Sequence, residues 1–175
     1  IWCAADKTIN HINNILGYIE RNGDDQFQYS KLYKGEALAL RAMLHFDMMR
    51  LYGPPAWADA QAKAKVIPYV TKYAFDITPF SSYEDVYKYI IADLEEAEKC
   101  LAADETLLPA VRDNSAAGFT SCRIIHMNLY AVQALLARVY WYKGDLAKAS
   151  EYASKVIESR KFSFRPREAF IQAEN

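Results

Sequence analysis

Residues 29–55 read YSKLYKGEALALRAMLHFDMMRLYGPP, and this stretch decides the fold. Its apolar side chains recur at steps of three and four, the spacing that keeps them on one face of an α-helix. They form two adjacent stripes, one beginning at Tyr33 and the other at Leu38. Because a helix with two apolar stripes contacts neighbours on two sides, we predict an interior helix over residues 29–52. The Gly-Pro-Pro sequence at 53–55 ends it, since proline cannot continue a helix.

The same periodicity predicts four further helices. They are expected over residues 2–22, over residues 83–101, and over the two halves of a hairpin at 129–160. Gly23 is placed to end the first of these, because glycine readily adopts the left-handed conformation found at helix C-termini. Ser81 and Glu84 have the spacing of a capping box, so we expect them to begin the helix that follows.

The hairpin at 129–160 has the pattern of a tetratricopeptide repeat. This repeat places small residues where its two helices cross and glycine in the turn between them. Here Ala137 and Ala149 occupy the small positions, Tyr140 follows in the first helix, and Gly144 lies in the turn. Such repeats stack into an α-solenoid with extended binding surfaces. The predicted fold is therefore all-α, with tetratricopeptide-like helical hairpins and two long loops.

The two long loops cover residues 54–80 and 103–127, and the first of them is rich in aromatic residues. Long loops in compact domains are often functional. Aromatic rings stack on the apolar faces of sugars, so Trp57, Tyr69 and Tyr73 are the candidate ligand-binding residues. The alternative is that these rings only pin the loop to the helices, and the sequence leaves both possibilities open.

Composition excludes several classes of protein. The chain has 175 residues with 21 basic and 22 acidic side chains, so its net charge is −1. A mainly electrostatic nucleic-acid binder needs a basic surplus, which this chain lacks. No apolar run approaches the roughly 18 residues of a membrane span. The three cysteines are too few and too scattered for a zinc site or a disulfide framework, and we expect small buried thiols.

No pattern of an active site, a metal site or a cofactor site is present. The three histidines are far apart in sequence, and His45 lies among core positions. We interpret the acidic cluster from Asp93 to Glu98 as a solvated helix face. Arg41, Asp47 and Arg50 are expected to form hydrogen bonds and ion pairs between helices. We therefore expect a non-catalytic protein with no cofactor and no metal.

Residues 35–55, GEALALRAMLHFDMMRLYGPP, closely resemble the hallmark motif of the SusD/RagB-like nutrient-binding lipoproteins. That motif reads roughly E-A-x-x-L-R-A-x-x-x-F-D-L-x-R-L-Y-G-x-x-P. Three other stretches match helices of the family in the same order. They are Ile9, Asn13 and Leu16; Tyr87, Ile90, Asp93, Leu94, Ala97 and Leu101; and Ala134 through Tyr140. The resemblance covers most of residues 2–160.

The resemblance implies an all-α, tetratricopeptide-like solenoid with long loops. Family members are lipoproteins at the surface of the Bacteroidetes outer membrane. They hold an oligosaccharide or polysaccharide, or another nutrient, and pass it to a TonB-dependent, SusC-like transporter without catalysis. By this resemblance, residues 1–175 form one N-terminal helical domain of a longer protein, whose lipid anchor is not in this chain. The hallmark motif is structural in the family, so it implies no binding residue here.

Two alternatives to glycan binding remain at the level of sequence. A generic tetratricopeptide-like scaffold would bind a peptide or protein partner in its groove, and that interaction would be sensitive to salt. An enzyme would need a cleft with clustered titratable groups, which the sequence does not indicate. For a glycan-binding protein, we expect Trp57→Ala to weaken binding while the domain stays folded.

Overall fold

The computed structural model describes residues 1–23, 27–54, 57–74, 76–108, 118–120, 122–162 and 168. Within these residues the chain is a stack of α-helices accompanied by one small sheet, which confirms the all-α class. The elements are α1 (Trp2–Asn22), α2 (Ser30–Tyr52), β1 (Lys65–Pro68), β2 (Phe80–Ser82), α3 (Tyr83–Cys100), α4 (Asp104–Leu107), α5 (Leu129–Lys143) and α6 (Leu146–Glu158).

Helix α2 lies inside the stack, as its two apolar stripes predict. It packs against α1 on one side and α3 on the other, and α3 in turn contacts α5, which pairs with α6. Ala39, Ala42 and Met49 of α2 are completely buried. The predicted stripes are wrong at their edges, because Tyr33 and Leu51 are exposed. The second face of α2 is instead buried through polar residues, Arg41 and His45.

The crossing of α2 and α3 depends on a glycine. A Cβ atom added at Gly35 would lie 2.6 Å from Cγ of Leu101 and 3.0 Å from Cβ of Cys100. The backbone of α2 therefore approaches the end of α3 more closely than any side chain would permit. This contact fixes the spacing between the two helices that position the candidate site.

The first long connection contains structure that the sequence did not indicate. Residues 65–68 form β1, which pairs antiparallel with β2 just before α3. Helix α3 begins at Tyr83 as predicted, but its cap residue differs from the prediction by one position. Ser82 is the cap, and its Oγ accepts a hydrogen bond from the amide of Asp85 at 3.1 Å. Glu84 instead forms ion pairs with two lysines, Lys63 and Lys88. Pro55 and Phe75 of this connection lie outside the described residues.

A buried arginine holds the second long connection. Arg123 is completely buried and donates two hydrogen bonds to the carboxylate of Asp104, both at 2.8 Å. It also donates to Glu36 of α2. Asp104 Oδ2 additionally accepts from the amide of Leu129 at 3.0 Å, so the start of α5 is joined to the same cluster. Residues 109–117 and 121 of this connection lie outside the described part.

Helices α5 and α6 form the predicted tetratricopeptide-like hairpin. Gly144 lies in the turn with φ 89°, a left-handed conformation that favours glycine. Asp145 begins α6, and its carboxylate accepts from the amide of Lys148 at 3.1 Å. The expectation of buried thiols is wrong for Cys3, which is exposed, while Cys100 and Cys122 are half-buried. The tail beyond residue 162 is outside the described residues except for residue 168.

Substituting Gly35→Ala should destabilise the protein, because the added methyl group overlaps Leu101. We expect the free energy of unfolding to fall by about 1–3 kcal/mol, the usual cost of overpacking a core. Gly17→Ala is the matched control, since its added Cβ would meet only the flexible end of Arg21 at 3.2 Å. It should be neutral or stabilise α1 by up to about 1 kcal/mol. Urea unfolding measures both, and equal effects of the two variants would contradict this account.

Candidate functional site

An open groove of about 1080 Å³ lies between α1, α2 and the segment after β1. Asn13, Asn14 and Arg21 of α1 form one wall, and Thr71, Lys72 and Tyr73 form another. The floor includes Arg41 of α2. The described lining therefore presents amide, guanidinium, ammonium and phenol groups within one concave surface.

The floor of the groove rests on a buried ion pair between α2 and α3. Nε and Nη2 of Arg41 each donate to a different carboxylate oxygen of Asp93, both at 2.7 Å. The hydroxyl of Tyr69 donates to the same carboxylate at 2.6 Å. Burial opposes the charge on Arg41, but the hydrogen bonds and the charge of Asp93 outweigh it, so the pKa of Arg41 is raised. This two-point arrangement is the strong form of a carboxylate contact.

The remaining donors of this cluster bind the backbone of the segment that forms the groove wall. Nη1 of Arg41 donates to Oδ1 of Asn13 at 3.0 Å and to the carbonyl oxygen of Thr71 at 3.4 Å. Nδ2 of Asn13 donates to the carbonyl oxygen of Val70 at 2.9 Å. Residues 70 and 71 are therefore tied to α1 and α2 by side-chain hydrogen bonds.

His45 adds a third tie to the same segment. The amide of Val70 donates to Nε2 of His45 at 3.1 Å, so Nδ1 carries the proton and donates to the carbonyl oxygen of Arg41 at 2.8 Å. The imidazole stacks on the ring of Tyr69 with centroids 3.9 Å apart. Burial lowers the pKa of His45 to about 4, and the charge of Arg41 acts in the same direction. His45 is thus a neutral core residue, as its position in the sequence indicates.

Tyr73 is the candidate residue with a ring open to solvent. It lies at the edge of the groove with 58% of its surface exposed. Val70 and Thr71, which shortly precede it in the chain, are held on the helices by Arg41, Asn13 and His45. An exposed ring beside hydrogen-bonding groups has the composition of a sugar subsite.

Trp57 and Tyr69 are engaged inside the protein. The ring of Trp57 stacks on Tyr83 with centroids 4.8 Å apart, and Nζ of Lys143 lies 3.2 Å from the Trp57 centroid. Tyr69 is 95% buried, between His45 and Tyr89, and burial raises its pKa well above the ordinary value. Among the described residues, no ring contact joins Trp57, Tyr69 and Tyr73 to one another. The structure therefore brings one of the three rings, Tyr73, to the groove surface.

Two features of the site differ from what the sequence indicates. Asp93 belongs to the acidic cluster that we interpreted as solvated, but its side chain is 13% exposed because Arg41 and Tyr69 enclose it. The interhelix role expected for Arg41 is present, whereas Asp47 and Arg50 pair with each other within α2. Asn13 was expected only as part of a family motif. In the sequence, the available clue was its place among the apolar residues of α1, with which it is buried.

Comparison with known proteins identifies the family. Residues 1–141 match the SusD-like family described as "Starch-binding associating with outer membrane". The chain belongs to the SusD-like family. It is 28% identical over 136 residues to SusD-like protein P38 of Formosa agariphila, a match that covers 77% of this chain and 22% of that protein.

Solved structures of SusD-like proteins share the fold. A SusD superfamily protein of Bacteroides thetaiotaomicron superposes with a TM-score of 0.76 at 25% identity, over 97% of this chain and 34% of that one. A SusD-like carbohydrate binding protein of Bacteroides vulgatus gives a TM-score of 0.71 at 25% identity, over 95% of this chain and 32% of that one. This chain therefore spans about a third of the length of these relatives.

The described part of the chain shows neither a metal site nor a membrane-spanning helix. Its histidine, cysteine, aspartate and glutamate side chains form no group of three or more that could hold a metal ion. No helix within the described residues is both long and apolar enough to cross a membrane. The groove at Tyr73 is thus the candidate site.

The buried, neutral state of His45 predicts a pH dependence of stability. Unfolded His45 has a pKa of 6.5 and the folded residue one of about 4. Between these values the unfolded chain binds more protons, so stability is fully present above pH 6.5 and is lost as the pH falls towards 4. The loss attributable to His45 approaches roughly 1.4 kcal/mol per pH unit in this window.

His45→Gln isolates this effect, because its amide oxygen can still accept from Val70 but does not titrate. Urea unfolding of both proteins from pH 7 to pH 4 gives the difference in stability between them. We expect the wild-type protein to lose more stability than His45→Gln over this range. Parallel pH curves for the two proteins would show that His45 is not buried in its neutral form.

Proposed function

We propose that the chain binds a glycan in the groove beside Tyr73, as part of a protein that gathers nutrients at the outer-membrane surface. Membership of a family described as starch-binding supports this proposal. So does its similarity to a protein of Bacteroides vulgatus that is named as carbohydrate binding. The observation that carries it is the exposed ring of Tyr73 beside amide and cationic side chains in one groove.

The chemistry of the groove suits a sugar. The face of Tyr73 can stack on the C–H face of a pyranose ring, which gives affinity with little electrostatic contribution. Asn14 and Lys72 lie beside it and can donate hydrogen bonds to hydroxyl groups. Such a site depends on shape and hydrogen bonding, so its affinity should change little with ionic strength.

The groove favours binding without catalysis. Glycoside hydrolysis ordinarily uses two carboxyl groups on opposite sides of the scissile bond. Among the described residues that line the groove, Glu20 is the only carboxylate. Asp93 beneath the floor is occupied by Arg41 and Tyr69. We therefore propose a binding protein that hands on its ligand unchanged and that uses no cofactor.

Membership of the family supports a proposal for the location and the partner of the whole protein. We propose that residues 1–175 are the N-terminal helical domain of a surface lipoprotein of the outer membrane. The proposed partner is a TonB-dependent, SusC-like transporter that receives the glycan. The net charge of −1 agrees with a ligand other than nucleic acid.

Tyr73→Ala should weaken glycan binding by about tenfold, which corresponds to a loss of roughly 1.4 kcal/mol of stacking. Isothermal titration calorimetry can measure this with malto-oligosaccharides, laminarin and xylogluco-oligosaccharides. The last two are named with two other proteins of this fold, at 20% and 22% identity. Trp141→Ala is the matched control, because Trp141 is 69% exposed on α5.

The control should bind each glycan as the wild-type chain does. Equal affinities of Tyr73→Ala and wild type would exclude the groove as the sugar site. A salt-sensitive interaction with peptides and none with glycans would favour the alternative function of a protein-binding scaffold.

Trp57→Ala tests the sugar-binding role still predicted for Trp57. Because Trp57 packs on Tyr83 and beneath Lys143, the variant should lose about 1–3 kcal/mol of stability but remain folded. If Trp57 also contacts sugar, glycan affinity should fall at a temperature where the variant is fully folded. Circular dichroism and calorimetry on the same sample separate the two effects, and unchanged affinity would assign Trp57 to packing alone. The corresponding role of Tyr69 stays a prediction.

A further inference from the structure

A row of aromatic rings lies on the surface where α1 ends and α2 begins. We call it the aromatic strip, and its members in spatial order are Tyr18, Phe27, Tyr33, Phe119 and Tyr29. Successive ring centroids lie 6.5, 5.8, 4.1 and 6.0 Å apart, so each ring contacts the next. The strip unites α1, the turn before α2, α2 itself and the second long connection.

Four of the five rings of the strip are exposed to solvent, and the fifth, Phe119, is half-buried. Tyr18 is 55% exposed, and Phe27, Tyr29 and Tyr33 are each 36–37% exposed. Single exposed aromatic residues are ordinary, but a contiguous exposed apolar patch marks a binding surface. The strip is therefore a candidate for contact with a ligand.

The strip is held rigidly from below. Phe119 stacks on Tyr33 with an interplanar angle of 25°, and the guanidinium of Arg123 lies 5.3 Å from the Phe119 centroid. Arg123 is itself fixed by Asp104 and Glu36. Because these rings are already ordered, a ligand that stacks on them loses little conformational entropy of the protein.

Tyr29 has a left-handed backbone conformation, which glycine adopts more readily than tyrosine. Its φ is 66°, in the left-handed region that bulky side chains rarely adopt. Strained residues of this kind persist only where the surrounding structure holds them, and they are enriched at ligand-binding sites. At position 29 that side chain is a ring of the strip.

Two rings of the strip are next in sequence to residues that line the proposed groove. Gly17 and Lys34 line the groove, and their chain neighbours Tyr18 and Tyr33 belong to the strip. The exposed amide of Gln28 lies between Phe27 and Tyr29 in the sequence and can donate to a hydroxyl group. A ligand longer than the groove would therefore meet uncharged rings bordered by an amide.

We infer that the aromatic strip is a second subsite, which binds further sugar rings of a neutral glycan chain whose first rings occupy the groove at Tyr73. The inference rests on the proposed function and adds the class of ligand, an oligosaccharide long enough to span both surfaces. The uncharged rings of the strip favour a neutral sugar over a uronate or a sulfated one. The strip makes affinity depend on glycan length.

Calorimetry with short and long probes tests this inference. The wild-type chain should bind maltoheptaose more tightly than maltotriose, or laminariheptaose more tightly than laminaritriose. Phe27→Ala/Tyr33→Ala should lower the affinity for the heptasaccharide by about tenfold and leave the trisaccharide affinity unchanged. Trp141→Ala is again the control for loss of an exposed aromatic residue.

Tyr29→Gly is a second strip variant, chosen because it is expected to stay folded. It relieves the positive φ, so it should keep or raise thermal stability while removing one ring of the strip. We expect it to lower heptasaccharide affinity alone, and we expect saturation-transfer NMR with aromatic irradiation to reach fewer sugar protons than in the wild type.

Each other outcome counts against the strip as a sugar subsite. Strip variants that bind both lengths as the wild type does would overturn the inference and leave the groove intact, whereas Tyr73→Ala should weaken both lengths. A concentration-dependent dimer in analytical ultracentrifugation that disappears in Phe27→Ala/Tyr33→Ala would assign the strip to a second copy of the chain. Absence of binding to both glycan series would overturn this inference together with the proposed function.

Discussion

The structure depends on one buried ion pair, between Arg41 of α2 and Asp93 of α3. The two side chains are 9% and 13% exposed, so both charges have lost most of their water. A buried ion pair is tolerated only when its geometry is good and its other hydrogen-bonding groups are satisfied. Here the Tyr69 hydroxyl donates a further hydrogen bond to the carboxylate of Asp93. The guanidinium donates to Asn13 and to the carbonyl oxygen of Thr71. The pair therefore joins three helices and the first long connection at one point, a task for which lysine lacks the donors.

The second long connection is organised in the same way. Arg123 is buried against the carboxylates of Asp104 and Glu36, and its backbone carbonyl accepts from the cap residue Asn128 of α5. Each of the two long connections is thus anchored to the helices by a buried guanidinium. The helices supply the frame on which the two connections carry the exposed ring of Tyr73 and the half-buried ring of Phe119. Loops carried by a stable frame are common places for binding residues, and both proposed sugar-binding surfaces use rings of these connections.

The sequence predicts the frame well because helices are local. The end of α1 at Gly23, the limits of α2 and the turn at Gly144 all follow from spacing and breakers within one segment. The cap of α3 is predicted one residue too early because Ser81 and Ser82 are adjacent and both able to cap, and their spacing alone does not distinguish them.

The site is harder to predict because it is built from non-local contacts. Tyr69 looks like a surface ring in the sequence, but Asp93 and His45 draw it into the core across long intervals of chain. Tyr73, four residues later, is exposed at the groove, and no periodicity in the sequence distinguishes it from Tyr69. The aromatic strip combines rings from separate segments, and Phe119 reaches Tyr33 only because Arg123 holds the second connection in place.

Native-state hydrogen exchange of the Val70 amide in Arg41→Lys tests the central claim most directly. This variant keeps the charge but loses the two-point contact with Asp93 and the links to Asn13 and Thr71. The amide of Val139 in α5 is the internal reference, since α5 is outside this cluster. The account predicts much faster exchange at Val70 and little change at Val139. Unchanged exchange at Val70 would show that the first connection is held without the Arg41–Asp93 pair.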